Sequence, residues 1–119
     1  MSELLSLEDH RATADEITLP QASHIDGSYH KGSGSELIST NPATGAVLAT
    51  FAQATEDDVN FAVGKARDAF DSGVWANQHP SERKAVLIRL AKLIKRNRHQ
   101  MAVMESLDSG KPISDCAAI

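Results

Sequence analysis

Glu105-Ser106-Leu107-Asp108-Ser109-Gly110-Lys111-Pro112 closes the stretch, Thr55 to Pro112, around which the rest of the chain is organised. Apolar residues recur through this stretch at helical spacing, so it reads as two or three amphipathic helices. Thr55-Glu56-Asp57-Asp58 is a helix start: the Thr hydroxyl can cap free amides, and three acids favour the positive end of the macrodipole. Val59, Ala62, Val63, Ala66, Ala69 and Phe70 then form one apolar stripe, and Gly73 is the expected stop. Trp75 falls in the following loop, where it is expected to pack against the helices as an apolar anchor.

Pro80-Ser81-Glu82 opens the next helix, since proline in a first turn gives up no needed hydrogen bond. Val86, Leu87, Leu90, Leu93 and Ile94 share one face, while Lys84, Arg89, Lys92, Lys95 and Arg96 share the other. Arg83 projects toward the apolar side and is expected to find a carboxylate or carbonyl. Asn97 and Arg98 are read as a bend, after which Met101, Ala102, Met104 and Leu107 continue the helix to Gly110 and Pro112. Ser114 to Ile119 reads as the first turns of a further helix capped by Ser114. A chain that stops there is expected to be truncated, because a helix needs length to propagate.

Upstream of Thr55 the pattern changes. Leu5 to Ile17, with Leu4, Leu5, Ala12, Ala14 and Ile17 as its apolar positions, is expected to form a short helix that Pro20 stops. Asp26-Gly27 lies between short alternating segments, and both residues tolerate the positive φ of a type I′ hairpin turn. Lys31-Gly32-Ser33-Gly34-Ser35 reads as a linker rather than a phosphate cradle, for it lacks both the glycine spacing and the following helix. Glu36 to Thr40 and Ala46 to Gln53 are strands joined by the turn Asn41-Pro42-Ala43-Thr44-Gly45, with Val47, Ala49 and Phe51 on one face.

Composition narrows the function classes. At 119 residues, with 41% hydrophobic and 24% charged residues, the chain has room for one domain and a modest core. A net charge of −4 argues against nucleic acid and anionic membrane as partners. Seven of the twelve Lys and Arg residues lie between Arg83 and Arg98, but no aromatic residue interleaves with them, so they read as a solvated face. No apolar run approaches the ~20 residues that span a bilayer, and the acidic start does not read as a signal peptide. A single cysteine, Cys116, fits a reduced, cytoplasmic setting.

Candidate chemistry is sparse. His10, His24, His30, His79 and His99 show no pair at metal-ligand spacing on one predicted helix face. Cys116 has no identifiable base beside it and reads as a small buried hydrophobe. Asp108 stands out more, sitting at a helix end where free carbonyl oxygens collect. Carboxylate plus carbonyls is how a hard cation is held, although a turn-forming role accounts for the residue equally well.

Taken together, Ser39-Thr40-Asn41-Pro42-Ala43-Thr44-Gly45, the Glu56-Asp57-Asp58-Val59 helix start, Gly73-Val74-Trp75, Arg83 with Leu87, Leu90 and Ala91, and the closing Glu105 to Pro112 segment resemble the aldehyde dehydrogenase superfamily. Asp9-His10-Arg11-Ala12 through Ile25-Asp26-Gly27-Ser28-Tyr29 is similar to the branch acting on γ-glutamyl-γ-aminobutyraldehyde in putrescine breakdown. The resemblance implies an α/β fold: residues 1–119 would be the N-terminal hairpins and amphipathic helices of a truncated, Rossmann-like NAD(P)-binding domain. It implies aldehyde oxidation to a carboxylic acid through a cysteine thiolate, hydride transfer to NAD or NADP, and thioester hydrolysis, in an enzyme expected to be a homo-oligomer. None of the motifs for that chemistry occurs between Met1 and Ile119, so no catalytic or cofactor-binding residue is assigned. A monovalent cation held in some family members implies a site at Ser39, Thr40 and Asp108. The competing expectation is a truncated helical interaction module without catalysis.

Overall fold

Four strands and four helices form two small antiparallel hairpins followed by a long helical segment. The computed structural model describes residues 5–117. Leu4, Ala118 and Ile119, counted in the runs above, lie outside the described residues.

The first helix, α1 (Leu7–Glu16), begins where Ser6 and Asp9 satisfy each other's amides in a reciprocal capping box. It ends at Ile17, three residues ahead of Pro20. Strands β1 (Ser23–Ile25) and β2 (Ser28–His30) pair antiparallel around Asp26 and Gly27, whose φ values of 51° and 78° are those of the expected type I′ turn. Strands β3 (Glu36–Thr40) and β4 (Val47–Ala52) make the second hairpin, with a bulge between Ser39 and Thr40. Its turn is closed by Asn41, which accepts from the Gly45 amide at 2.7 Å through its carbonyl and from the Ala43 amide at 2.9 Å through its side chain. The 31–35 linker extends this ladder: Gly34 donates to the Gln53 carbonyl at 2.9 Å, and Gln53 donates to the Ser35 carbonyl at 2.8 Å.

Helix α2 (Glu56–Asp71) starts at a second capping box, Thr55 with Asp58. The same carboxylate also takes the Ser33 amide and hydroxyl, each at 2.9 Å, so the linker is tied to the helix start. Lys65 with Asp26 at 3.5 Å, and Phe61 against the His30 ring at 5.2 Å between centroids, add two further links from α2 to the first hairpin. Gly73, at φ 70°, ends the helix as expected.

Helix α3 (Pro80–Ser109) runs for 30 residues without the bend expected at Asn97 and Arg98. No glycine lies in it and its one proline, Pro80, holds the first position, so nothing breaks the backbone ladder at Asn97, whose side-chain amide donates to the Leu93 carbonyl at 2.9 Å. The stretch is thus two long helices rather than three. A single turn, α4 (Ile113–Cys116), follows; Ser114 lies inside it and Pro112 holds the cap position, so the expected Ser114 cap does not form. Proline's fixed φ suits that position, which leaves the hydroxyl nothing to cap.

Burial is slight. Among the described residues Ala49 of β4, Ala102 and Val103 of α3, and Cys116 of α4 are the buried apolar ones. The radius of gyration, 17.9 Å, exceeds the ~13.5 Å of a compact domain of this length. The helical stripes form as expected but stay uncovered: Val63 is 62% exposed, Phe70 69%, Leu87 56% and Leu90 52%. Trp75 is 45% exposed, so it is not the packed anchor expected. Arg83, half-buried, takes part in no ion pair among the described residues. Both expectations assumed a surface beside the helix starts that the described residues do not supply.

Asp58 makes the fold sensitive to acid. Amide and hydroxyl bonds from Thr55 and Ser33 hold its carboxyl far below the usual range. A lowered folded-state value means that the stabilisation is complete above the unfolded carboxylate's value near ~4 and fades as pH falls below it. The thermal midpoint followed by circular dichroism should therefore fall between pH 5 and pH 2 less steeply in Asp58→Asn than in the parent, and parallel slopes would remove Asp58 from that role.

Candidate functional site

Two polar segments far apart in sequence meet at the end of α3. The Ser39 hydroxyl donates to the Asp108 carboxylate at 2.7 Å, a contact across 69 residues. Asp108 occupies the last turn of α3, and Ser39 the position just before the hairpin's register shift. Thr40, paired with Val47, is carried beside this contact without a hydrogen bond to Asp108 among the described residues. The structure thus joins two of the three expected cation-site residues through side chains and places the third next to them.

Gly110 explains why the segments can approach. It ends α3 at φ 74°, donates to the Ser106 carbonyl at 3.0 Å, and lies flat against Pro42. A Cβ there would come within 2.9 Å of the Pro42 Cγ, so the turn after β3 docks only onto a glycine. Lys111 then turns back to Glu105 at 3.0 Å, and that carboxylate raises the Lys111 pKa. A cleft of about 300 Å³ opens beside the contact, with Leu19, Phe51 and Met104 as apolar walls and Ser39, Glu105 and Asp108 as polar ones. Opposed to an exposed carboxylate, such a wall offers oxygen ligands to a hard cation.

Cys116 is close by but built differently. Burial first, and the Glu105 charge second, push its thiol up, away from the thiolate a nucleophile needs. Its sulfur faces the Lys111 carbonyl at 3.7 Å, as a small buried hydrophobe would. The basic residues Lys84, Arg89, Lys92, Lys95, Arg96 and Arg98 are exposed, matching the solvated face expected of them. No helix of the described residues is long and apolar enough to cross a membrane.

The described residues do not fit a dinucleotide. The sheets are two-stranded antiparallel hairpins, without the parallel strand–helix–strand unit that carries a pyrophosphate. At the start of α2 the Asp58 amide is already capped by Thr55, and Glu56, Asp57 and Asp58 add negative charge that opposes a phosphate.

Sequence reasoning missed one cluster. His10 on α1 and His99 on α3 meet, Nδ1 to Nε2, at 2.9 Å, and the Thr13 hydroxyl lies 3.5 Å from the other His99 ring nitrogen. The rings cross at 62°. Each histidine looks isolated in the sequence, because 89 residues separate them.

Comparison with known proteins matches this architecture. The sequence profile of the aldehyde dehydrogenase family matches residues 29–118. An aminoacetaldehyde dehydrogenase of Pseudomonas aeruginosa is 50% identical over 117 residues, which are 98% of this chain and 24% of that protein. The crystal structure of γ-glutamyl-γ-aminobutyraldehyde dehydrogenase from Burkholderia cenocepacia superimposes with a TM-score of 0.91 at 40% identity, covering 97% of this chain and 24% of that one. An indole-3-acetaldehyde dehydrogenase of P. syringae, in complex with NAD+, gives 0.91 at 36% identity, covering 98% and 24%. The chain belongs to the aldehyde dehydrogenase family. It spans about a quarter of the length of the relatives it matches.

The Gly110–Pro42 contact can be separated from backbone strain. Gly45 has φ 73° and open space where a Cβ would point; Gly110 has the same φ and Pro42 in the way. Gly45→Ala should lose about 1 kcal/mol of stability from its left-handed conformation. Gly110→Ala should lose clearly more in denaturant unfolding, and equal losses would show that the docked proline contributes nothing.

Proposed function

We propose that this chain is the opening segment of the cofactor domain of an NAD(P)-dependent aldehyde dehydrogenase, a longer enzyme that oxidises an aldehyde to a carboxylic acid. The observation that carries the reading is the match to full-length enzymes along nearly the whole chain, hairpin turn and α3 end included. Substrates of the amino-aldehyde class, with γ-glutamyl-γ-aminobutyraldehyde as the specific candidate, are supported by the names of those relatives. A cytoplasmic, homo-oligomeric enzyme is proposed with it. The lone Cys116 fits a reducing compartment, and the uncovered stripes of α2 and α3 offer apolar surface to the rest of such a fold. None of the chemical steps is assigned to a described residue, since neither a dinucleotide fold nor a reactive thiol is among them. The segment's part is to shape and support.

A chimera tests this. The matching quarter of the P. aeruginosa aminoacetaldehyde dehydrogenase is replaced by residues 1–119. Aldehyde-dependent NADH formation by the chimera, and none by the 119-residue chain alone, is the expected pair of results. A chimera without activity, or a chain that forms NADH by itself, overturns the proposal.

We further propose that Ser39, Thr40 and Asp108 hold a monovalent cation, with the Asp108 carboxylate supplying charge and the β3 end supplying oxygens. The bound cation then stabilises by mass action. In the same chimera Asp108→Ala should lower the thermal midpoint in potassium or sodium buffer, and shrink the gap between those buffers and one containing only a bulky organic cation. A loss of equal size in all three buffers would make Asp108 a turn former only.

A further inference from the structure

Among the described residues, the hydrogen bonds that leave α1 for another element all end on one side chain, His99 of α3. None of α1's residues is fully buried, so little apolar burial assists that contact in holding the helix down. The contact is wired in one direction. Thr13 gives its hydroxyl hydrogen to the Asp9 carbonyl at 3.0 Å and turns a lone pair toward His99 Nδ1, 3.5 Å away, which places the ring hydrogen there. His99 Nε2 then accepts from His10 Nδ1–H across 2.9 Å. Of the four ring nitrogens, His10 Nε2 keeps its lone pair outside this chain of bonds.

We propose that the His10–His99 contact is a proton-counting latch: it keeps α1 docked on α3 while the pair holds no added proton or one, and releases α1 when it holds two. The first proton goes to His10 Nε2. It breaks no bond and turns the His10 N–H into a charged donor to the same lone pair, a stronger kind of hydrogen bond. The second proton has only His99 Nε2 left. There two N–H groups would confront each other across 2.9 Å, so the rings must part. Neighbouring charges set the same order. From α1, the Asp9 carboxylate, held below the usual range by Ser6 first and by both rings last, supports one positive charge. Glu8 and Arg11, the next charges along α1, are exposed. From α3, Lys95 and Arg96 stand one turn before His99 and oppose a second charge. Once released, α1 is a 10-residue helix, too short to persist alone in water. Free imidazoles take up protons at ~6.5, so release belongs to mildly acid conditions, above the range in which carboxylates titrate.

Hydrogen–deuterium exchange of the full 119-residue chain tests the latch, with α1 corrected at each pH for intrinsic exchange and referred to α2, which contains no histidine. Protection of α1 is expected to hold from pH 8 to pH 6.5. It should then fall by about tenfold per pH unit toward pH 5, the slope of one proton. Glutamine carries a donor and an acceptor on one group, so it can face a neutral or a charged imidazole. His10→Gln and His99→Gln should therefore keep α1 protected and lose the slope, with His24, His30 and His79 still present in both. Far-UV circular dichroism checks that each variant keeps its helices, and either variant decides alone where the other does not fold. Protection of α1 that follows α2 down to pH 5 in the parent overturns the proposal. So does a slope that survives in both variants, or an α1 that exchanges freely in both at pH 8.

Discussion

The second hairpin is tied to the long helix through one junction, the turn after β3 seated on the end of α3. It consists of a single 2.7 Å hydrogen bond from Ser39 to Asp108 and the contact of Pro42 with Gly110. Each partner is prepared by its own segment. The bulge and the Asn41 bonds aim the turn, and a left-handed glycine clears the helix end. Ala49 on β4 and Ala102 and Val103 on α3 are buried, and Ala49 lines the same cleft as Ser39 and Asp108.

Local chemistry supplies most of the remaining order. Three helices begin with reciprocal capping boxes, and each carboxylate sits where backbone amides would otherwise be unpaired. Such bonds define where an element starts but bury almost nothing. They fix the secondary structure of a chain whose apolar stripes remain open, and they explain how well-formed helices coexist with exposed leucines and phenylalanines.

That division also explains what could be read from the sequence. Thr55, Asp26-Gly27, the Asn41–Gly45 turn and Gly73 were legible because their signals are local: a cap, a positive φ, a turn. The box at Ser6 follows the same rule, with Asp9 closing it as Asp58 closes the one at Thr55. Asp108 was legible as a candidate from its place at a helix end, while its hydrogen bond with the Ser39 hydroxyl, across 69 residues, has no local signal. Contacts made by helix-to-helix placement were beyond reach. Nothing near His10 announces His99, and nothing near Trp75 or Arg83 announces which surface, if any, will cover them.

The unbroken course of α3 gives these pieces a common frame. Among the described residues its second half carries His99, bonded to α1, the buried Ala102 and Val103, and Asp108, with Gly110 capping it at the junction. Its first half carries the uncovered stripe of Leu87, Leu90 and Leu93. At 1.5 Å per residue, Leu90 stands roughly 27 Å from Asp108 along a straight helix. A bend at Asn97 would have swung the stripe away from the direction that the anchored half sets. Asn97 instead stays within an unbroken helix, so the orientation set at the end of α3 is carried to an apolar face more than half a helix away. The polar junction and the exposed stripe are therefore two ends of one constraint: the first sets the angle at which the second is presented to whatever surface covers it.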